Sequence, residues 1–409
     1  MKMFKAHTVK EAKMKLRDNF TDYRLGIEVI DISKAVGRIL AEDVFSNVNV
    51  PHFRRSTVDG YAVISKDTHG ASEGLPAFLE VIGEVDMGRE PKIVIDTDKT
   101  AYVPTGGMIP HGADSVVMVE YTEKLDEHSI GINKPVSIKE NMVDIGDDIK
   151  EKEKVLHKGL KLRPQDIGVL SSIGVDRVQV FKLPSIAIIS TGDEIVEPNK
   201  DAGLGQIRDI NTYTLWAMAE EAGCLVTKKV VVEDEFQVLK DTLEECINNN
   251  DIVIISGGSS VGTKDITGKV INSIGEPGVF VHGVAIKPGK PTILAKVKNK
   301  AVFGLPGQPV SAMIVFKIFV EYLVGYIQDR DTEIEYFIEG IFDSNIHSAH
   351  GRETYQMVTL EREGGKWLVK PVYGKSGMIS LMSKARGYIK IEANKEGVKK
   401  GEIVRVVPI

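Results

Sequence analysis

The chain has 409 residues with 52 Lys and Arg, 58 Asp and Glu and 42% hydrophobic residues, the profile of a folded globular protein, which excludes disorder and a collagen-like repeat. Its length allows about two to four domains, each able to bury a core without disulfides or metals. A net charge of −6 leaves no basic footprint, so neither nucleic acid nor an anionic membrane is expected as a partner.

Residues 1–19 carry charges at close intervals and no apolar leader core, and no later stretch approaches about 18 consecutive apolar residues. The expectation is a cytoplasmic enzyme or scaffold. Thr8 followed by Val9, Ala12, Leu16 and Phe20 at helical spacing predicts an N-capped amphipathic helix, with a strand and turn over 29–40. From about 47 to 144 short apolar runs separated by Gly, Pro, Asp and His predict a β-rich domain. A second helix is expected over 163–173.

Beyond Pro184 the pattern alternates: strand 185–191, helix 212–222, strand 225–232, helix 235–248, strand 251–256, a helix near 267–274, strands near 292–295 and 301–305, and a long helix 310–327. Such alternation predicts a doubly wound parallel sheet with helices on both faces and ligands received at the carboxyl ends of the strands. After Asp331 β texture returns, read as a small barrel-like or sheet domain. Cys224 and Cys246 lie 22 positions apart with no CxxC and no adjacent His, so both are expected to be buried thiols.

The polar turns after the strands are where chemistry is expected. Thr191-Gly192-Asp193-Glu194 places two carboxylates after a glycine turn, which suits either a Mg²⁺ or hydroxyl-binding corner or an ordinary capped turn. Gly257-Gly258-Ser259-Ser260-Val261-Gly262, followed by Asp265, has side chains small enough for backbone N–H groups to face an anion. It is not a dinucleotide fingerprint, because Ser259 stands where that pattern needs glycine. Nor is there a Walker A loop, since Gly289-Lys290 is followed by Pro291. Lys287-Pro288-Gly289-Lys290-Pro291 holds two ammonium groups on a segment stiffened by prolines, either a solvated pair or a preorganised oxyanion cradle. In Gly304-Leu305-Pro306-Gly307-Gln308-Pro309 the last proline suits an early helical position. Asp59-Gly60 reads on its own as a hairpin turn, His347 and His350 as surface histidines without a third ligand, and Trp216 as a core residue.

Taken in order, the motifs Ser56-Thr57-Val58-Asp59-Gly60-Tyr61-Ala62, Pro104-Thr105-Gly106, the run from Gly112 to Glu120, Thr191-Gly192-Asp193-Glu194, Gly205-Gln206-Ile207, the glycine turn at 257–262, the 287–291 loop and the 304–311 turn closely resemble the molybdopterin molybdenumtransferase family, that is MoeA and the E domain of gephyrin. The resemblance covers essentially the whole chain. It implies an α/β multidomain, elongated subunit: a discontinuous helical part (1–46 and 143–182), an inserted β domain (47–142), a MogA-like molybdopterin-binding α/β domain (183–330) and a C-terminal β-barrel (331–409). It also implies a homodimer whose cleft is shared between subunits. The implied reaction takes adenylylated molybdopterin and molybdate, with tungstate as a close substitute, and releases AMP in the presence of Mg²⁺.

Carried over position by position, the resemblance assigns Asp59, Thr105, Glu194, Asp234 and Asp265 to catalysis, with Glu194 and Asp265 on Mg²⁺. Asp59 and Thr105 would act across the dimer. Gly257, Gly258, Ser259 and Ser260 would face the nucleotide, and Thr191, Gly192 and Asp193 would belong to the same cofactor-binding set. Lys287, Lys290 and Pro291, with Arg352 and Ser376 from the C-terminal domain, would form the oxyanion pocket, and Pro306 and Pro309 would be cofactor-binding. Implied partners are a molybdopterin adenylyltransferase and molybdoenzyme acceptors, with no nucleic acid and no membrane. The chain departs from the family pattern at Gln308, where Asn is common, at Ile266, where an aromatic is usual, and at Arg386, in place of Asn. Two rival readings are a scaffold of the gephyrin E-domain type without turnover and a molybdopterin adenylyltransferase. The second is disfavoured because such enzymes are single α/β domains.

Overall fold

The computed structural model describes residues 6–257, 266–330 and 336–409. The first helix, Val9–Asn19, forms where predicted: the Thr8 side chain accepts from Glu11 N–H and the Glu11 carboxylate accepts from Thr8 N–H, a reciprocal cap that satisfies two otherwise orphaned donors. Its buried stripe, Val9, Ala12 and Leu16, joins the same core as Phe303 and Leu323, so this helix packs on the α/β sheet. The next strand, Ile27–Asp31, pairs antiparallel with Arg177–Phe181. Val44–Phe45 likewise pairs with Lys154–Leu156, tying the start of the chain to a segment more than a hundred residues later. Leu40, Leu162, Leu170 and Val180 form the core of that junction, with the helix Pro164–Ser172 on it.

Between these pairings lies a sheet of six strands in which Gly60–Val63 runs between Lys99–Val103 and the edge strand Ser115–Met118. Asp59-Gly60 is not a hairpin turn. The strand before it, Arg55–Ser56, pairs with Met142–Val143, while Gly60–Val63 enters the large sheet. Gly60 is needed there because a Cβ would lie 2.1 Å from the Val117 carbonyl oxygen.

The α/β part carries a second six-stranded sheet. Leu225–Val232, Ser185–Thr191, Ile252–Ser256 and Lys300–Leu305 run parallel in that order. Ile293–Val297 and Pro277–His282 then extend it antiparallel, so the sheet is mixed rather than wholly parallel. Along Ser185–Thr191 the side chains alternate: Ile186 and Ile188 face Leu215, Phe316 and Phe319, while Ala187 and Ile189 face Leu239, Leu243 and Ile271. Helices on both faces therefore cover the strands, as near-continuous apolar runs require.

The helix Pro309–Ile327 has the length and mean hydropathy (1.8) of a membrane span, yet 72% of that window is buried inside the fold, which makes it a core helix. Lys317 and Glu321 pair on it at 3.3 Å, and it relaxes into a π turn at Phe316–Val320. At the C-terminus Ile338–Phe342, Glu353–Glu363, Lys366–Pro371, Gly387–Ile391 and Ile403–Pro408 close into a five-stranded barrel around Phe342, Val358, Val369, Ile389 and Val406. A sixth, two-residue strand, Ile286–Lys287 of the α/β part, adds to the barrel alongside Glu353–Glu363.

Candidate active site

Three parallel strands stop in register, Ser190 opposite Ser256 and Ser256 opposite Leu305, so their following turns gather along one edge of the sheet. Close backbone approach holds these turns together. Gly257 sits at φ +108°, and a Cβ there would lie 2.4 Å from the Thr191 carbonyl oxygen, so only glycine fits. Its N–H donates to the Leu305 carbonyl at 3.2 Å. Asn211, at the start of the helix Asn211–Glu221, crosses the same edge: its Nδ2 donates to Ser256 Oγ (2.8 Å) and to the Gly307 carbonyl (2.9 Å).

The predicted carboxylates sit at the rim of this edge. Glu194 folds back over Gly192, where a Cβ would meet its Oε2 at 2.9 Å. Asp193 Oδ1 accepts the Asp234 N–H at 3.2 Å, joining the turn after one strand to the turn after its neighbour. Thr191 and Gly192 are buried while Asp193, Glu194 and Asp234 are exposed, so three acids face solvent above a buried floor. Gly258, Ser259, Ser260 and Asp265 lie outside the described residues, and among the described residues no three His, Cys, Asp or Glu side chains converge as metal ligands.

The 287–291 loop is held from several sides. Ile286 and Lys287 run parallel to Glu353 and Thr354 of the barrel. Ala285 N–H donates to the His7 carbonyl (2.8 Å), Glu353 N–H to the Ala285 carbonyl (2.9 Å) and Val284 N–H to the Lys290 carbonyl (3.0 Å). Thr292 Oγ1 donates to the Gly289 carbonyl at 2.6 Å. Gly289, at φ +114°, lets the loop approach Val315, whose Cγ2 would be 2.7 Å from a Cβ. Lys287 and Lys290 remain exposed, with no carboxylate partner among the described residues. The loop is thus a preorganised carrier of two free ammonium groups rather than a slack surface turn. Arg352 follows Gly351 directly at the foot of the barrel strand beside Ile286.

Ser376, on the other side, belongs to the barrel and docks on the turn before the long helix: its Oγ donates to Gln308 Oε1, and Val310 N–H donates to the Ser376 carbonyl at 3.1 Å. Pro306 in the same turn is buried and Pro309 opens the helix. Sites taken from two distant parts of the sequence, 287–310 and 352–376, therefore meet. Asp59 and Thr105 are brought together in the inserted sheet, where Asp59 Oδ1 accepts the Thr105 N–H at 2.8 Å and its carbonyl accepts from Val119 at 3.0 Å. Partial burial, with Asp59 and Glu84 nearby, raises the Tyr102 phenol above its ordinary pKa.

Sequence reasoning passed over Asp209 and Asn211. Both are buried, at 6% and 9% exposure, and the Asp-x-Asn spacing two residues after Gly205-Gln206-Ile207 was the available signal. Trp216 is half-buried, donating to Glu220 at 2.8 Å with the Lys229 ammonium 4.3 Å from its ring centre.

Comparison with known proteins decides the family. Residues 7–174 match the MoeA N-terminal region (domains I and II), 187–325 a family described as "Probable molybdopterin binding domain", and 339–409 the MoeA C-terminal region (domain IV). The chain belongs to the MoeA family of molybdopterin molybdenumtransferases. It is 31% identical over 404 residues to a molybdopterin molybdenumtransferase of Haemophilus influenzae, covering 98% of both chains. A Staphylococcus epidermidis protein of the same name is 30% identical over 380 residues, covering 92% of this chain and 90% of that one. Among solved structures, a molybdopterin biosynthesis moeA protein from Pyrococcus horikoshii superposes with a TM-score of 0.86 at 31% identity, covering 99% of this chain and 100% of the other. This MoeA-family chain thus shares its architecture with its relatives over the full length compared, barrel included.

Proposed function

We propose that this chain inserts molybdate, or tungstate, into adenylylated molybdopterin and releases AMP. The observation that carries the reading is the locked meeting of turns: Gly257 packed on Thr191 and bonded to Leu305, with the acids of 193, 194 and 234 on one side and the lysine loop, Arg352 and Ser376 on the other. A phosphoanhydride needs the first group and a metal oxyanion the second.

In this reading Gly257, Gly258, Ser259 and Ser260 face the nucleotide, while the Gly257 N–H stays with the Leu305 carbonyl and holds the turn in place. Lys287 and Lys290, fixed by the 287–291 loop, and the Arg352 guanidinium supply positive charge for a dianion, and Pro291, Pro306 and Pro309 keep that wall rigid. Ser376 adds a hydroxyl. Glu194 has a free, exposed carboxylate and no cation partner among the described residues, which fits the hard-oxygen donor set that Mg²⁺ takes together with phosphate oxygens. Glu194 and Asp265 would hold that ion, which when bound neutralises phosphate charge. Asp234 and Asp265 orient the water whose oxygen bonds to phosphorus as the anhydride P–O bond breaks. Its proton passes to a carboxylate and AMP leaves; the two dithiolene thiols then bond to the metal as one metal–oxygen bond breaks, and that oxygen departs as water with the two thiol protons.

The proposal includes a homodimer in which Asp59 and Thr105 of the partner subunit complete the cleft, and the division of the subunit into parts 1–46 with 143–182, 47–142, 183–330 and 331–409. It places the protein in the cytoplasm beside an adenylyltransferase and molybdoenzyme acceptors. A mixing experiment tests the shared site. Asp59→Ala and Glu194→Ala proteins, each inactive alone, are predicted to regain about a quarter of wild-type AMP release after subunit exchange, because each hybrid dimer rebuilds one intact site. No recovery in hybrid dimers verified by mass would place both residues in one subunit's site.

A further inference from the structure

A second recess lies at the other end of the α/β sheet from the cleft, lined by Arg38, Lys161, Gln328, Arg330 and the turns at Gly37 and Gly223. Gly223 comes just before the strand Leu225–Val232, so the recess borders the amino ends of the strands, about 20 Å from the catalytic edge along Ser185–Thr191. Three distant stretches of chain build it. Gly37 N–H donates to the Leu162 carbonyl (2.8 Å) and Leu162 N–H to the Arg38 carbonyl (2.9 Å), which sets Lys161 beside Arg38. Lys158 pairs with Asp329 at 2.6 Å, tying this segment to the end of the long core helix and taking up the carboxylate next to Arg330.

The polar groups of the recess are donors without acceptors. Arg38 Nη2 donates to Glu28 Oε1 (2.6 Å) and to the Phe181 carbonyl (2.8 Å), but Arg38 Nε is buried with no partner. The Gln328 amide belongs to a residue 3% exposed and makes no hydrogen bond among the described residues. Lys161 and the Arg330 guanidinium pair with no carboxylate among the described residues, and the neighbouring acid Glu321, which acts on Arg330 through space, is bonded to Lys317 at 3.3 Å. Nor do these cations serve as helix caps. Gly223 N–H and Cys224 N–H take the Glu220 and Ala219 carbonyls, and Arg330 N–H takes that of Gly325, so both helix ends here are closed by their own backbone. The partial negative charge of each helix end, roughly half a unit, is outweighed by three full cations of which one is paired. A buried N–H without an acceptor is costly, so this set calls for a ligand that brings several acceptor oxygens and more than one negative charge. The recess holds about 220 Å³ with its mouth included, so that ligand is small.

We propose that Arg38, Lys161, Gln328 and Arg330 bind one small tetrahedral oxyanion of the phosphate or sulfate type, which bridges the segments at 37–39 and 161 to the end of the core helix. The site is separate from the reaction proposed above and stands or falls without it. The test is isothermal titration of the full chain with inorganic phosphate, sulfate and acetate at fixed ionic strength. It is run in a Lys287→Ala/Lys290→Ala background, which strips the two ammonium groups from the cleft, alone and with Arg330→Gln or Lys161→Gln added. Phosphate and sulfate are expected to saturate one site per chain in the background protein, with acetate at least about tenfold weaker. Their affinity should fall at least about tenfold with Arg330→Gln and severalfold with Lys161→Gln. Phosphate should also raise the melting temperature of the background protein but not that of its Arg330→Gln form. Neither side chain makes an internal hydrogen bond, so both variants should fold, which circular dichroism checks; Lys161→Gln decides if Arg330→Gln does not. No saturable phosphate binding in the background protein, unchanged affinity in the folded variants, or acetate binding as tightly as phosphate would each overturn the site. Unchanged phosphate affinity together with a dimer that falls apart in Arg330→Gln would make the recess a contact between subunits instead.

Discussion

Replacing Asp251 by Ala is predicted to weaken the fold without touching the chemistry. This carboxylate accepts from the Tyr23 hydroxyl, the Ser185 N–H (2.9 Å) and hydroxyl (2.7 Å) and the Lys300 ammonium (3.0 Å), joining the chain's first segment to two strands of the α/β sheet. Burial alone would push its pKa up, but the hydrogen bonds from Tyr23, Ser185 and Lys300 outweigh that and hold it below the usual carboxylate range. The side chains of Lys300 and Asp251 are 29% and 21% exposed, so water screens the pair only in part. Breaking a buried pair costs roughly 3–5 kcal/mol, which partial exposure reduces to about 2–4 kcal/mol. For a unit of this size that is a melting shift on the order of 5–15 °C, read by scanning calorimetry. Asp251 lies at the amino end of the strand Ile252–Ser256, about 16 Å from its carboxyl end. Turnover at 25 °C is therefore expected within twofold of wild type. A melting shift under about 2 °C, or a tenfold loss of turnover in a protein that melts normally, would refute the reasoning.

Three further outcomes follow from the same geometry. Gly257→Ala must push the added Cβ away from the Thr191 carbonyl oxygen, 2.4 Å off, and leave a residue at φ +108°; turnover should fall at least tenfold (a loss of about 1.4 kcal/mol), and near-normal AMP release would show the turn is not part of the site. Gln308→Asn withdraws the acceptor from Ser376 by one methylene and frees that hydroxyl for the oxyanion; the molybdate KM should drop by about 2–10-fold with kcat within twofold, and an unchanged KM would place Ser376 away from the oxyanion. The Arg163 hydrogen bonds hold the buried Asp166 carboxyl below its ordinary pKa. Its contribution is thus fully present above the unfolded carboxylate pKa and lost as pH falls through the lowered folded value, so Asp166→Asn should lower the melting temperature near neutrality and flatten the acid limb, the two proteins converging at low pH.

The α/β half was readable because its strands are uninterrupted apolar runs, 186–189 and 252–255, separated by helices of clear period. The antiparallel edge strand Pro277–His282 escaped notice because Pro277, Gly278 and His282 look like a turn, and its place is set by pairing with Ile293–Val297, not by local preference. Asp59-Gly60 misled for the opposite reason: the dipeptide is a strong local turn signal, but tertiary pairing sends the strands on either side to different partners. The acids at 193, 194 and 234 were findable because strand-end turns are short and polar. Asp209 and Asn211 offered only the Asp-x-Asn spacing as a signal, since burial and the bonds to Thr212, Ser256 and Gly307 exist only after the helix docks on the sheet. The contact between Ser376 and Gln308 spans 68 residues and no periodicity announces it.

The most direct test of the account is AMP release from adenylylated molybdopterin by the full chain with Mg²⁺, measured without oxyanion, with molybdate and with tungstate. The account predicts release that depends on an oxyanion and disappears in Glu194→Ala and Lys290→Ala. Tight nucleotide binding without AMP under any of the three conditions would contradict it and leave a scaffold that retains the cleft without turnover.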